Sequence, residues 1–230
     1  YKAAGVAAGI KAGDKRDLAL VVSEKTAACA GVFTRNVVKG HSLQLTMENL
    51  AKEHCADAFV VNSGCANACA GEAGRKAALD VTLYAASLLG SRPSRILFNS
   101  TGVIGYAVDS EKLKKGLDVA YASLSECGGT FAEEAIMTTD TVKKEYALRI
   151  ELNGKSVTVG GMAKGSGMIH PNMGTMISLI TTDAAVSQPV LQHALRKIAD
   201  CTYNRVSVDG DTSVCDMTVA MANGMAGNAC

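Results

Sequence analysis

The chain has no tryptophan, only 4% aromatic residues and three prolines among its 230 residues. So few aromatic side chains argue against a surface on which nucleic-acid bases stack. An excess of one charge sign is also missing, because 23 Lys and Arg residues are balanced by 22 Asp and Glu residues. A formal net charge of +1 argues against a polyanion-binding surface, and we expect no nucleic-acid partner.

Long hydrophobic runs are absent, although hydrophobic residues make up 48% of the chain. No segment approaches the roughly 20 apolar residues that a membrane span requires, and no secretory signal pattern opens the sequence. We therefore expect a soluble protein without a membrane partner.

The eight cysteines do not indicate a disulfide scaffold, because the chain is too long for that class of small protein. Cys65 and Cys69 have CxxxC spacing, but no companion pair or histidine at ligand spacing completes a zinc site. We expect core or loop thiols in a reducing compartment, and no metal.

No repeat, low-complexity tract or proline-rich linker divides the chain, which predicts a single domain over residues 1–230. Short β-rich runs bounded by Gly, Asn and Ser predict strands at Leu18–Val22, Ala58–Asn62, Arg95–Asn99, Leu148–Leu152, Ser156–Gly160 and Met176–Thr181. Apolar spacing predicts helices over Glu72–Leu89, Ser110–Leu124 and Asp216–Ala222. A further helix is predicted after a cap at Ser187, with Leu191, Leu195 and Ile198 on one face. Interleaved strands and helices indicate an α/β or α+β fold.

Three stretches rich in glycine, threonine and small polar residues are candidates for chemistry: residues 99–105, 137–141 and 160–176. Lys164 in the third stretch suggests a phosphate-binding loop. That motif requires the lysine after the second glycine and before Ser or Thr, whereas Lys164 precedes Gly165. A glycine-rich surface turn is the alternative interpretation.

Candidate nucleophiles lie beside glycines, but Ser100, Ser166 and Thr175 are not in the GxSxG pattern of α/β-hydrolases. His170 is either a loop residue or a general base. The Gly174-Thr175 junction, where a small residue precedes Thr at the start of an apolar strand, is typical of a bond that an N-terminal-nucleophile enzyme cleaves. Cleavage would give Thr175 an α-amine with a pKa of about 8, which can deprotonate the neighbouring hydroxyl.

Several stretches in order along the chain resemble the ornithine acetyltransferase family of arginine biosynthesis, the bifunctional glutamate N-acetyltransferases. They are residues 3–6, 31–36, 61–64, 100–105, 135–141, 163–175 and 208–213. The resemblance implies an αββα sandwich like that of DmpA-type aminopeptidases. It also implies autocatalytic cleavage between Gly174 and Thr175, which gives an amino-terminal fragment, 1–174, and a second fragment that begins at Thr175. Family members run beyond residue 230, so the rest of the second fragment is expected to lie outside this sequence.

The reaction that the resemblance implies moves acetyl from N-acetylornithine to glutamate through an acetyl-Thr175 intermediate. Thr101 and Gly102 correspond to the oxyanion hole, and Thr138, Lys164 and Thr175 to substrate-binding positions. Some members also accept acetyl-CoA, and no other cofactor is implied. The resemblance further implies an α2β2 heterotetramer, in the cytoplasm or, for a eukaryotic source, the mitochondrion.

Acyl transfer is chemically compatible with these residue types. A tetrahedral oxyanion needs preorganised donors, each worth about 3 kcal/mol, and a Thr101 hydroxyl with a Gly102 N–H would supply two. Lys164 can pair with the α-carboxylate that both substrates carry, and Thr138 can add a hydrogen bond. Two alternatives remain: a DmpA-like aminopeptidase that hydrolyses the acyl-enzyme, and a non-catalytic homologue that keeps the fold.

Overall fold

The computed structural model describes residues 1–169 and 176–230, and its main feature is one mixed eight-stranded sheet. The strands are β1 (Lys2–Val6), β2 (Leu18–Phe33), β3 (Cys55–Cys65), β4 (Ile96–Val103), β5 (Glu145–Leu152), β6 (Lys155–Lys164), β7 (Ile177–Thr182) and β8 (Met217–Ala222). The helices are α1 (His41–Glu53), α2 (Gly71–Leu89), α3 (Ser110–Ala122), α4 (Gly129–Ile136) and α5 (Gln188–Cys201).

The strand order across the sheet is β4-β3-β2-β8-β7-β6-β5, and β1 pairs with the first part of β2. The β3–β4 and β7–β8 pairs are parallel, whereas the other pairs are antiparallel. Strands β7 and β8, which come late in the chain, therefore lie between β2 and β6. Residues on both sides of position 175 consequently contribute to one continuous sheet.

Alternating side chains of β2 supply two separate layers of core. Leu18 and Leu20 pack with Phe98 on the side covered by α2 and α3, whereas Ala19 and Val21 belong to the cluster that contains α4. This alternation is the consequence of the two-residue period of a strand. The sheet is thus covered by helices on both faces of its β3–β2 half.

Helix α1 protects the outer edge of the sheet. The backbone N–H of Phe98 on β4 donates to Thr46 Oγ1 (2.8 Å), and the Thr46 hydroxyl donates to the Phe98 carbonyl (2.7 Å). Asn49 donates to the Ile96 carbonyl at 3.0 Å. These polar side chains replace the partners that a neighbouring strand would have supplied to the β4 backbone.

Most of the predicted elements are present, with longer strands than the sequence indicates. The helix predicted over Glu72–Leu89 is α2, which ends at Gly90 with φ 63°, and the helix predicted over Ser110–Leu124 is α3. The helix predicted over Asp216–Ala222 is wrong, because this segment forms strand β8. Every residue of β8 is buried, and an apolar segment buried on both faces has no period that separates strand from helix.

The helix predicted after the Ser187 cap is α5, and Ser187 occupies its N-cap position without a side-chain capping bond. On this helix Leu195 is buried, whereas Ile198 is 45% exposed and does not belong to the buried face. The strand predicted over Ser156–Gly160 continues to Lys164 as β6, so residues Gly161–Lys164 do not form the glycine-rich turn considered as an alternative. Lys164 is therefore the last residue of a strand.

None of the helices in the described ranges is long and apolar enough to cross a membrane. All eight cysteines are unpaired thiols, and Cys29, Cys65 and Cys215 among them are buried. Within residues 1–169 and 176–230, no three His, Cys, Asp or Glu side chains are grouped so that they could bind a metal ion.

Candidate functional site

A cavity of about 520 Å³ lies where the ends of several elements converge. Its walls come from the ends of β3, β4 and β6, the segment after α4, and residues just before β8. The lining residues are Lys11, Gly64, Ala66, Thr101, Gly102, Val103, Ile104, Thr138, Thr139, Lys164, Gly167, Met168, Ser213, Val214 and Cys215. Four positions predicted from sequence, Thr101, Gly102, Thr138 and Lys164, thus share one cavity although up to 63 residues separate them.

Two glycines in the parallel β3–β4 pair allow the backbone to form part of this wall. Gly64 and Gly102 are opposite each other and have φ values of 103° and 133°. A Cβ atom added to Gly102 would lie 2.4 Å from the carbonyl carbon of Gly64, which is closer than any real contact. Only glycine fits at position 102 without a shift of the adjacent strand. Because glycine has no side chain, the Gly102 backbone is not covered by one of its own.

Lys164 is a buried cation in direct contact with Thr101. The side chain crosses from β6 so that Nζ lies 3.4 Å from Thr101 Oγ1, and the two residues are 4% and 8% exposed. Burial lowers the pKa of Lys164, and the negative charges of Asp140 and Asp216 partly oppose this effect. Because an ammonium group can only donate, Thr101 accepts this bond and its own hydroxyl hydrogen remains available to a further acceptor.

Asp140 connects the segment carrying Thr138 to the end of β6. Its carboxylate accepts bonds from Lys144 Nζ (2.7 Å), the Gly165 N–H (2.7 Å) and the Thr138 N–H (3.1 Å). Burial alone would raise the pKa of this carboxyl, but these donors and the Lys164 charge outweigh it, so the pKa is lowered. Asp140 is thus an ionised group that fixes the backbone at two sides of the cavity.

Lys11 provides a second ammonium group in the cavity wall. Its Nζ donates to the carbonyls of Met137 (2.7 Å) and Arg16 (3.0 Å), and burial lowers its pKa. Sequence reasoning missed Lys11, because a lysine in a charged loop has no distinguishing pattern. Asp140 could have been found, since it is the one charged residue of the 137–141 stretch.

The remaining predicted site residues, Gly174 and Thr175, lie outside the described residues, as does His170. The next described residue, Met176, is bonded to strand β8, because the Met217 N–H donates to the Met176 carbonyl at 3.0 Å. Ile177, the first residue of β7, is the register partner of Lys164. The chain that follows position 175 therefore enters the sheet directly beside Lys164.

Comparison with known proteins accounts for nearly the whole chain. The model of the ArgJ family matches residues 2–229. This chain belongs to the ArgJ family. The resemblance inferred from the sequence is thereby confirmed.

Individual relatives of this ArgJ-family chain agree with that assignment. It is 48% identical over 230 residues to the arginine biosynthesis bifunctional protein ArgJ of Symbiobacterium thermophilum, a match that covers 99% of this chain and 57% of the relative. The chain thus spans little more than half the length of the curated relatives it matches.

Two solved structures are similar in both fold and sequence. The arginine biosynthesis bifunctional protein ArgJ of Bacillus halodurans superposes with a TM-score of 0.70 and 38% identity, covering 74% of this chain and 89% of its own. The ornithine acetyltransferase of Mycobacterium tuberculosis, solved with ornithine, gives a TM-score of 0.65 and 36% identity, covering 74% and 91%.

A more distant neighbour defines the fold class. The L-aminopeptidase D-Ala-esterase/amidase of Ochrobactrum anthropi, described as a variant of the Ntn-hydrolase fold, matches with a TM-score of 0.53 over 96% of this chain and 71% of its own. At 13% identity the likeness concerns the fold alone. It confirms the predicted α/β class of the αββα sandwich type for the ArgJ-family chain.

Proposed function

We propose that this protein transfers acetyl from N-acetylornithine to glutamate, with Thr175 as the nucleophile. The observation that carries the proposal is the convergence of Thr101, Gly102, Thr138 and Lys164 on one cavity in a chain of the ArgJ family. A solved relative is named ornithine acetyltransferase and contains ornithine, which supports this choice of donor.

In the first half-reaction the Thr175 hydroxyl attacks the acetyl carbonyl of N-acetylornithine. The amide C–N bond breaks, ornithine leaves with a proton, and acetyl remains on the threonine oxygen as an ester. In the second half-reaction the glutamate amine attacks this ester, which releases N-acetylglutamate and regenerates the hydroxyl. The α-amine of a processed Thr175 accepts and returns the proton.

The contact between Lys164 and Thr101 supports an oxyanion hole on β4. Each half-reaction passes through a tetrahedral intermediate with a negative oxygen. We assign its stabilisation to the Thr101 hydroxyl, which Lys164 leaves free to donate, and to the Gly102 N–H. A buried ammonium 3.4 Å from the Thr101 oxygen adds a positive field there, and Lys164 with Thr138 would also bind the substrate carboxylate.

Chain connectivity supports Thr175 as the nucleophile of this cavity. Ile177 is paired with Lys164, and two residues of chain span at most about 7 Å. The lengths of the solved relatives support a cleaved chain. The match to each of the two solved structures covers 74% of this chain, which is about 170 of its 230 residues. The same match covers 89–91% of the solved polypeptides. That length is close to the proposed amino-terminal fragment, 1–174.

The sheet order supports continued association of the two fragments after cleavage. Strands β7 and β8 would belong to the second fragment, and they pair with β6 and β2 of the first. Separation would break both pairings and expose the buried strand β8. We propose that the fragments remain together as one αβ unit, two of which form the α2β2 assembly.

An isotope-transfer assay tests the activity. Protein incubated with N-acetylornithine labelled in its acetyl group and with glutamate is expected to give labelled N-acetylglutamate and free ornithine. Labelled acetate without N-acetylglutamate would instead establish a hydrolase of the aminopeptidase type. Absence of both products would contradict any acyl-transfer function.

The same assay tests the role of Lys164. We expect Lys164→Ala to raise the KM of both substrates by roughly ten-fold or more, because a charge-assisted bond contributes about 1.5–3 kcal/mol. Lys155→Ala is the matched control, since Lys155 lies at the exposed start of the same strand. Unchanged KM values in Lys164→Ala would remove Lys164 from the binding site.

A further inference from the structure

The charge of the cavity wall is one-sided. Among the described lining residues the charged side chains are Lys11 and Lys164, and none of them is Asp or Glu. The nearby carboxylate of Asp140 already binds Lys144 and two backbone N–H groups. Neither cavity lysine forms an ion pair with a carboxylate of residues 1–169 or 176–230. Two ammonium groups that form no ion pair with these carboxylates favour a ligand with two negative charges.

Lys11 is held rigidly at this wall. Its backbone N–H donates to Asp17 Oδ2 at 2.8 Å, and the same carboxylate accepts bonds from the N–H groups of Ala8 and Ile10. Its aliphatic stem packs over Gly64, where an added Cβ would be 3.1 Å from Lys11 Cγ. Hydrogen bonds therefore hold both the backbone and the ammonium group of Lys11 in place.

The ammonium of Lys11 keeps donor capacity for a ligand. An ammonium group has three N–H donors, and the carbonyls of Met137 and Arg16 accept two of them. Lys11 is also partly exposed, whereas Lys164 is 4% exposed and already in contact with Thr101. A ligand in the cavity can therefore reach Lys11 more easily than Lys164.

We propose that Lys11 is a specificity residue that binds the second carboxylate of the acetyl acceptor, so that the site selects a dicarboxylate such as glutamate. This inference rests on the proposed function, in which glutamate is the acceptor. N-acetylornithine has one carboxylate and a side-chain ammonium, so Lys11 gives it no attraction. Lys11 thereby distinguishes the acceptor from the donor at one shared site.

The test compares glutamate with glutamine, its uncharged amide counterpart, as acceptor. In the unmodified protein we expect kcat/KM for glutamate to exceed kcat/KM for glutamine by ten-fold or more. Lys11→Met should reduce this preference at least ten-fold and leave the KM of N-acetylornithine within about three-fold. Lys11→Arg should retain most of the preference, because it keeps the charge. Lys15→Met is the matched control, since it removes the same charge from an exposed position of the same loop that does not line the cavity.

Two kinetic outcomes would overturn the proposal: a preference unchanged in Lys11→Met, or KM values of donor and acceptor raised by the same factor. The second is what a purely structural clamp on Met137 would produce. Calorimetric binding of glutamate and glutamine separates this proposal from the proposed function. If no acetyl is transferred, the function fails, whereas tighter glutamate binding that Lys11→Met abolishes still supports Lys11. Equal affinity for the two compounds would refute it.

Discussion

The close approach of Gly102 to Gly64 leaves no room for a side chain at position 102. Gly102→Ala would place a methyl carbon 2.4 and 2.6 Å from the carbonyl carbon and oxygen of Gly64. Strand β4 or β3 must then shift, because backbone atoms cannot rotate away as a flexible side chain would. Gly105 provides a control with a similarly positive φ of 98° but nothing within 4 Å of an added Cβ.

Both substitutions carry the cost of an L-residue in a left-handed conformation, about 1–2 kcal/mol. Gly102→Ala adds the cost of overpacking, which is typically about 1–3 kcal/mol. The free energy of unfolding should therefore fall by about 2–5 kcal/mol in Gly102→Ala and by about 1–2 kcal/mol in Gly105→Ala. Urea unfolding followed by circular dichroism measures both. Equal losses in the two variants would refute the proposed backbone contact.

Three further predictions concern single side chains. Thr101→Ala should lower kcat about 100-fold with little change in KM, because in the proposed mechanism the hydroxyl faces charge that develops only in the transition state; a large KM effect with normal kcat in steady-state assays would contradict it. Because the pKa of Lys164 is lowered, its positive charge is lost at a lower pH than that of an ordinary lysine, and KM should rise with pH in alkaline solution. In Lys164→Arg the side chain keeps its charge, so the dependence of KM on pH should be weaker; an unchanged dependence would contradict the prediction. Burial raises the pKa of Glu133 to about 7, so its protonated form stabilises the fold at acidic pH and this contribution is lost as pH rises through 7. Between pH 5 and pH 8 the free energy of unfolding should fall by about 2–3 kcal/mol, at about 1.4 kcal/mol per pKa unit, and this fall should be absent in Glu133→Gln. The same dependence of the free energy of unfolding on pH in both proteins would contradict the prediction.

Periodicity predicted α2 and α3, whose buried faces are apolar. Helix α2 buries alanines and Val81 on one side, and this pattern is visible in the sequence. Helix α1 was missed, because its buried face includes Ser42, Thr46 and Asn49. These polar residues are buried through bonds to other parts of the fold, such as the edge of β4, and no sequence pattern announces such tertiary bonds.

The candidate site was predicted from the family resemblance and not from periodicity. Thr101, Gly102, Thr138 and Lys164 lie in separate stretches that only the sheet topology brings together. Lys11 could not be predicted, because its place in the wall depends on the loop that Asp17 folds through three backbone bonds. The strand position of Lys164 was also hidden, since glycines at 160 and 161 are typical of turns and here lie within β6.

In the proposed mechanism Thr175 both cleaves the chain and carries acetyl, and intact mass spectrometry of the purified protein can detect both events. Under denaturing conditions we expect two polypeptides divided between Gly174 and Thr175, and addition of N-acetylornithine should place an acetyl group on the fragment that begins at Thr175. Thr175→Ala should give one uncut, inactive chain, whereas Thr175→Ser should cleave and transfer more slowly, because it lacks the methyl group that restricts the side chain. An acetyl group on another residue during turnover, or transfer activity in Thr175→Ala, would contradict the mechanism.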